Sequence, residues 1–451
     1  MKPNPWVASY LIGKSPDRYA SLERHAVAQS IKGDSVAARA EVLKARMREV
    51  FLCGEQTSSL LDKLLAMGEG HALTHYSSSQ EIRGSIYHQQ PWGDATQPAL
   101  MLTGLAGTGK TQLMQAMKRF LGDRVGRVDL PGHRNLEIQP AWFLSLRDGN
   151  TLNSLLGPCV VPERADCDGV EIPKRKDLKQ SQLLQLARRV SRRDGVCIIF
   201  LDEFQFITRS QDANTLAMTL LLQLLSVGPR VVYVANFSLA RRLMNRRQED
   251  RHRVLANHLE LQPDAVDGSD FLNYITELTR IVPEDFRFEI SSIAGLLHRY
   301  SHGIKRAVME LLVAAWAHAK THRGTRADVT ESDVKAAYAS PGYLPFRHDV
   351  EALGHHSKGT KDIDADLLNP LRVESQAENV VIAQAAISDF NRRVNERHVE
   401  GMLTPDESEA LSTLLPSRRE MSVEGRVRRI PTRAASKESL LDAFARLAKD
   451  L

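Results

Sequence analysis

The 451-residue chain is predicted to be an α/β protein, with a parallel sheet core, a helical lid after it and helical extensions at both ends. Two observations carry this expectation. Between about 90 and 262, short apolar runs alternate with helical stretches: Ala99–Thr103, Ala141–Leu146, Val196–Leu201 and Val231–Asn236. Runs that are apolar at nearly every position suit parallel strands buried on both faces, and helices between them provide the crossovers. From about 265 to 345 the pattern becomes all-helical, with a long apolar-faced stretch over 304–322 and a helix opened by Thr330 with Asp333 at capping-box spacing.

The elements divide into four segments. Residues 1–65 place Val36, Ala40, Leu43, Met47, Val50 and Phe51 at helical spacing, which predicts a helical extension. Residues 66–264 carry the alternation of strands and helices, and 265–349 the lid. Residues 350–451 are polar, with an Arg-rich stretch from Arg418 to Lys437. A final amphipathic piece there puts Leu440, Leu441, Phe444 and Leu447 on one face. At this length the chain suggests more than one structural unit.

Apolar residues make up 42% and charged residues 25%, ordinary for globular proteins, so the bulk of the chain is expected to fold, with room for a disordered tail. The N-terminus has no basic region followed by an apolar run, and no stretch approaches eighteen consecutive apolar residues. No secretion or membrane role is therefore expected. Cys53, Cys159, Cys167 and Cys197 have no CxxC spacing, so neither a zinc site nor a disulfide framework is indicated, and reduced thiols in a cytoplasmic setting are expected. The net charge is only +5, but the basic residues cluster at 174–193, 241–253 and 418–437. Such clusters fit either a solvated face or a polyanion partner.

The strongest chemical signal is Gly104-Leu105-Ala106-Gly107-Thr108-Gly109-Lys110-Thr111, which matches GxxxxGK[ST] between an apolar strand and an amphipathic helix that starts at Gln112. Glycines let backbone amides curl around phosphates, Lys110 supplies a cation, the Thr111 hydroxyl can ligate Mg²⁺, and Gln112, next after the motif, is expected at the nucleotide as well. ATP with Mg²⁺ is the expected cofactor, which makes residues 66–264 the nucleotide-binding core. About ninety residues on, the strand ending in Asp202-Glu203 supplies the second half: Asp202 to hold Mg²⁺ through water, and Glu203 to orient or deprotonate the attacking water. Alone, an acidic pair after a strand would be read as the start of a helix.

This combination resembles the AAA+ ATPases. The resemblance implies that Asn236, at the end of the next strand, senses the γ-phosphate; the competing reading is an Asn that caps the following helix. It further implies that one of Arg246, Arg247, Arg251 and Arg253 enters a neighbouring subunit's site, with Arg253 or Arg251 favoured. Arg306, in the lid string Gly303-Ile304-Lys305-Arg306, would reach the nucleotide, unless it is a surface arginine.

A narrower resemblance lies in Tyr233-Val-Ala-Asn236-Phe-Ser-Leu239, in Arg246 to Asn257, in Ser301 to Arg306 and in Asp333 to Tyr338. These strings are similar to TnsC and TniB, AAA+ regulators of multi-subunit DNA transposons, over roughly residues 70–350. The family implies ATP-dependent homo-oligomers, hexameric or heptameric rings or filaments, around double-stranded DNA in the bacterial cytoplasm. It also implies a target-selection protein of the TniQ or TnsD type and transposase subunits of the TnsA and TnsB type as partners, with hydrolysis disassembling the complex. Its DNA contacts would fall on Arg147, Asn150 and Thr151, and on Lys174, Arg175, Lys176 and Lys179, all directed to phosphates rather than bases. Two other readings share the nucleotide motifs: a replication-initiator or helicase-loader ATPase, and a signalling NTPase that acts without DNA.

Overall fold

A computed structural model describes residues 4–11, 18–28, 30–87, 97–122, 124–130, 133–146, 151–160, 178–204, 213–266, 268–356 and 364–372. The chain divides into two units, 1–372 and 373–451, and every described residue belongs to the first. The C-terminal amphipathic piece and the Arg-rich stretch before it lie outside the described residues.

Five strands form one parallel sheet in the order β4-β5-β6-β1-β7: β1 (Leu100–Thr103), β4 (Ala141–Ser145), β5 (Ile198–Asp202), β6 (Arg230–Val234) and β7 (Asn257–Glu260). The central runs are apolar throughout because both faces are covered, and alternate residues enter different cores. Met101, Ile199, Leu201, Val231 and Tyr233 join the cluster with α6 (Leu152–Val160), α7 (Gln180–Arg193), α8 (Ala213–Leu225), α9 (Phe237–Met244) and α10 (Gln248–Leu255). Leu102, Ile198, Phe200, Val232 and Val234 face the other way, onto α3 (Glu55–His75) and α5 (Lys110–Gly122). One feature was not read in the sequence: β2 (Gly126–Leu130) and β3 (His133–Ile138) pair as a separate antiparallel hairpin. Their mixed polar composition, GRVDL and HRNLEI, gives neither a buried run nor clean alternation.

The lid comprises α11 (Ser269–Thr279), α12 (Ile290–Ser301), α13 (Lys305–His322), α14 (Glu331–Ala339) and α15 (Leu344–His356). Its core holds Phe271, Ile275, Leu297, Leu311, Leu312 and Trp316. The Thr330 capping box is present, since Asp333 accepts from the Thr330 amide at 2.8 Å. The same carboxylate takes hydrogen bonds from the Thr330 hydroxyl, at 2.7 Å, and from Arg323, and it pairs with His318 at 2.9 Å. Burial alone would raise its pKa, but these bonds and the Arg323 charge outweigh burial and hold the carboxyl below its usual value. His318 and Arg323 are partly exposed, which screens them, so Asp333→Ala is expected to cost about 1–3 kcal/mol at neutral pH. A carboxyl with a depressed folded-state pKa stabilises above its unfolded-state value and loses that contribution as pH falls through the folded-state value. Thermal unfolding should therefore show the gap between parent and variant closing on acidification; a gap constant with pH would refute the assignment.

The N-terminal segment has no core of its own among the described residues. After α1 (Pro5–Ala8), α2 (Val36–Met47) packs its Leu43 and Met47 into the lid core, whereas α3 runs through residue 65, packs on the sheet and is followed by α4 (Ser79–Tyr87). Among the described residues, Cys53, Cys159 and Cys197 form no disulfide, and no helix is long and apolar enough to cross a membrane.

Candidate nucleotide site

The site is built at the C-terminal edge of the sheet, where β1 feeds the loop 104–109 into α5. Two glycines are demanded by geometry. Gly104 has φ +147° and a Cβ there would stand 2.3 Å from the Leu261 carbonyl oxygen; Gly107 has φ +89° and a Cβ would meet Arg306 Cβ at 2.8 Å. Lys110 is buried, and its ammonium donates to the Gly104 and Leu105 carbonyls at 2.8 and 2.7 Å. The Thr108 hydroxyl donates to the Leu105 carbonyl at 3.0 Å. Ala106 and Gly109 complete the loop, and Thr111 follows in the first turn of α5.

Burial, and after it the Arg306 guanidinium, pushes the Lys110 pKa down to about 7, with Asp202 opposing. Lys110 thus stands within electrostatic reach of one residue from β5 and one from the lid. A polyphosphate beside Lys110 would favour the charged form and raise its pKa. Binding at pH 8 should then take up a proton, and affinity should weaken as pH rises from about 7 toward the higher value of the complex. Calorimetric titration at pH 8 in two buffers of different ionisation enthalpy measures the uptake. Identical heats would contradict the assignment.

Asp202 ends β5 in register with Ser145 of β4, and its Oδ1 accepts from the Glu203 amide at 2.7 Å. Glu203 is buried and has φ +62°, a conformation that costs a non-glycine residue about 1–3 kcal/mol and is retained where function needs it. β6 lies between β5 and β1, and the Ala235 amide donates to the Leu102 carbonyl at 2.9 Å, so Asn236 emerges between the two motif-bearing strands. Asn236 occupies the N-cap position of α9, but its side chain makes no capping hydrogen bond.

The lid meets the loop directly: the Arg306 amide donates to the Gly107 carbonyl at 3.1 Å, with the Arg306 side chain exposed. Arg251 and Arg253 lie on α10 before edge strand β7. Arg251 donates back to the Met244 carbonyl at 3.3 Å, while Arg253 is exposed and pairs with Glu249 at 2.8 Å. Of the expected DNA contacts, Arg147, Asn150, Lys174, Arg175 and Lys176 lie outside the described residues. Thr151 is engaged at the start of α6, where its hydroxyl accepts from the Ser154 amide at 3.1 Å, and Lys179 is the N-cap of α7.

Several residues at the site carry no local sequence signal for it. Val50, Leu52, Leu261, Tyr274 and Lys305 line a small cavity with Thr108, Gly109 and Gln112. Gln112, expected at the nucleotide, points its amide at the chain before α3, donating to the Arg48 and Val50 carbonyls at 2.9 and 3.3 Å. The segment 48–54 carries no motif, and only its tertiary position reveals it.

The donor set fits Mg-ATP: a backbone cradle that only glycine permits, a buried lysine on its rim, and a hydroxyl and a carboxylate from two elements for the cation. Residues 94–235 match the family model described as an AAA domain. No curated protein matches the chain. Among solved structures, the chain is similar to the Aeropyrum pernix ORC1 protein in complex with DNA, at 17% identity over 64% of this chain and 69% of that one, with a TM-score of 0.36. It is also similar to a Walker-type ATPase of Pyrococcus abyssi, at 13% identity over 62% and 76%, with a TM-score of 0.37. For domain III of the Thermotoga maritima replication initiation protein DnaA, the figures are 12% identity, 59% and 90% coverage and a TM-score of 0.31. With its family match, sheet order, P-loop and helical lid, the chain has the fold of an AAA+ P-loop ATPase.

Proposed function

We propose that this chain hydrolyses ATP to ADP and phosphate and uses the cycle to assemble on, and leave, double-stranded DNA as a regulator of transposition. The observation that carries the ATPase reading is the glycine-built loop with buried Lys110 on its rim, and the Arg306 amide closing the lid onto Gly107. Bound Mg-ATP would supply the γ-phosphoryl group and the cation that neutralises developing charge. Lys110 and the loop amides bind and orient the phosphates, while Thr111 and Asp202 hold the cation. Glu203 positions the attacking water and takes its proton, and Asn236 reports on the terminal phosphate from between the two strands. Arg253, exposed on α10, is the better placed of the two arginines to reach a neighbouring copy, since Arg251 is turned back onto α9.

The transposition reading is supported by the resemblance of the strings around Asn236 to Asn257 and of the lid to TnsC and TniB. The target selector and transposase are proposed partners on that ground. ATP turnover with and without duplex DNA, joined to electron microscopy with a nonhydrolysable ATP analogue, tests it. Stimulated turnover and DNA-bound rings or filaments are expected, with binding that weakens steeply with salt because the contacts are to phosphates. An ATPase indifferent to DNA and monomeric on it would favour the signalling alternative.

A further inference from the structure

The chain crosses from one core to the other within a single peptide: Val50 belongs to the lid cluster, and Phe51 packs in the sheet-side cluster with Leu113 and Phe120. Successive residues of an extended segment point to opposite sides, so one strap can hold both bodies. On the lid side, Lys44 of α2 pairs with Glu310 of α13 at 2.7 Å, and Arg48 approaches the other Glu310 oxygen at 3.6 Å. Further back, Glu277 of α11 accepts from the Ala26 amide at 2.9 Å. On the sheet side, Gln112 of α5 holds the Arg48 and Val50 carbonyls, and Arg119 donates to the Leu22 carbonyl at 2.9 Å. An antiparallel bridge between Arg24 and Phe51, bonded in both directions, closes the strap on itself.

From this geometry we infer that residues 23–54 tie the lid to the P-loop helix, and that Glu310 and Glu277 are positioning residues for nucleotide binding although neither lies in the candidate nucleotide site. The inference rests on the nucleotide-site reading above. A lid that swings away must either drag α2 from α3 or break the strap at Val50–Phe51, beside Gln112. Fastening α2 to the lid therefore favours the closed site, and releasing it makes the open site easier to reach. Any partner gripping α2 would sense nucleotide occupancy through the same linkage.

The test is a charge-reversal cycle in the full chain: Lys44→Glu, Glu310→Lys, the two combined, and Glu277→Ala as an independent release. Affinity for a fluorescent nonhydrolysable ATP analogue with Mg²⁺ is measured, together with kcat and KM. Each single variant is expected to weaken the analogue at least about fivefold, seen as a rise in KM with kcat nearly kept, and the double reversal to recover most of the loss. Melting of each nucleotide-free variant separates coupling from a folding defect: the singles should melt close to the parent while binding the analogue more weakly, and a loss of affinity that only follows a loss of Tm would count against the inference. Single variants that bind like the parent, or a double reversal as weak as the singles with Glu277→Ala unchanged, would overturn the inference while leaving the nucleotide site standing. A parent that binds no analogue would instead remove the reading on which it rests.

Discussion

Glu203→Gln is expected to retain Mg-ATP and slow its hydrolysis by about 10²- to 10⁴-fold, the span that a positioned proton acceptor supplies. The glutamate follows directly on the strand that carries Asp202, and its backbone is held in the left-handed region at φ +62°. Glutamine has the same shape and the same backbone cost, so the variant should fold as the parent does and keep its water contact. It cannot take the proton. Because binding depends on the P-loop and hydrolysis on Glu203, the variant should accumulate in the ATP-bound state and, on the proposed reading, persist as DNA-bound oligomers. Single-turnover hydrolysis and filter retention of labelled ATP separate the two steps. Turnover at the parent rate would show that Glu203 is not the proton acceptor.

Legibility in the sequence followed how local each signal is. The P-loop could be read because its glycines and Lys110 act within a few residues of one another. The central strands could be read because burial on both faces forces unbroken apolar runs, as in Ile198–Leu201 and Val231–Val234. The Thr330–Asp333 capping box is a three-residue device and was equally plain. What stayed hidden depends on distant pairs. The β2–β3 hairpin has no buried run to announce it, and nothing in residues 48–54 says that their carbonyls meet Gln112 or that Val50 and Phe51 enter different cores. Gln112 itself was expected at the nucleotide from its place after the motif, and its amide is committed to the strap. The strained backbone of Glu203 is likewise invisible in the string LDEF, since a glutamate gives no local sign of positive φ.

Lys110→Ala is expected to remove nucleotide binding while leaving the empty protein almost as stable as the parent. Two opposed terms set the second half of this expectation. Truncation strips the Gly104 and Leu105 carbonyls of the ammonium that donates to them, at 2.8 and 2.7 Å, which destabilises. It also removes an amine whose burial beside Arg306 has already pushed its pKa down to about 7, which shows that the site does not favour the cation when no phosphate is present. The terms oppose one another, so a small net change in Tm is expected. With phosphate the balance reverses, because the anion supplies what the lysine lacks. Truncating one partner of a buried charge pair costs about 2–5 kcal/mol, which corresponds to roughly 30- to 4,000-fold in affinity. Thermal shift reads both halves in one experiment. With the ATP analogue at about one hundred times the parent's dissociation constant, the parent should gain about 2.7 kcal/mol of stability, and the variant should gain less than about 0.9 kcal/mol. A variant that melts with the parent and shifts as far with nucleotide would show that Lys110 does not contact the phosphates.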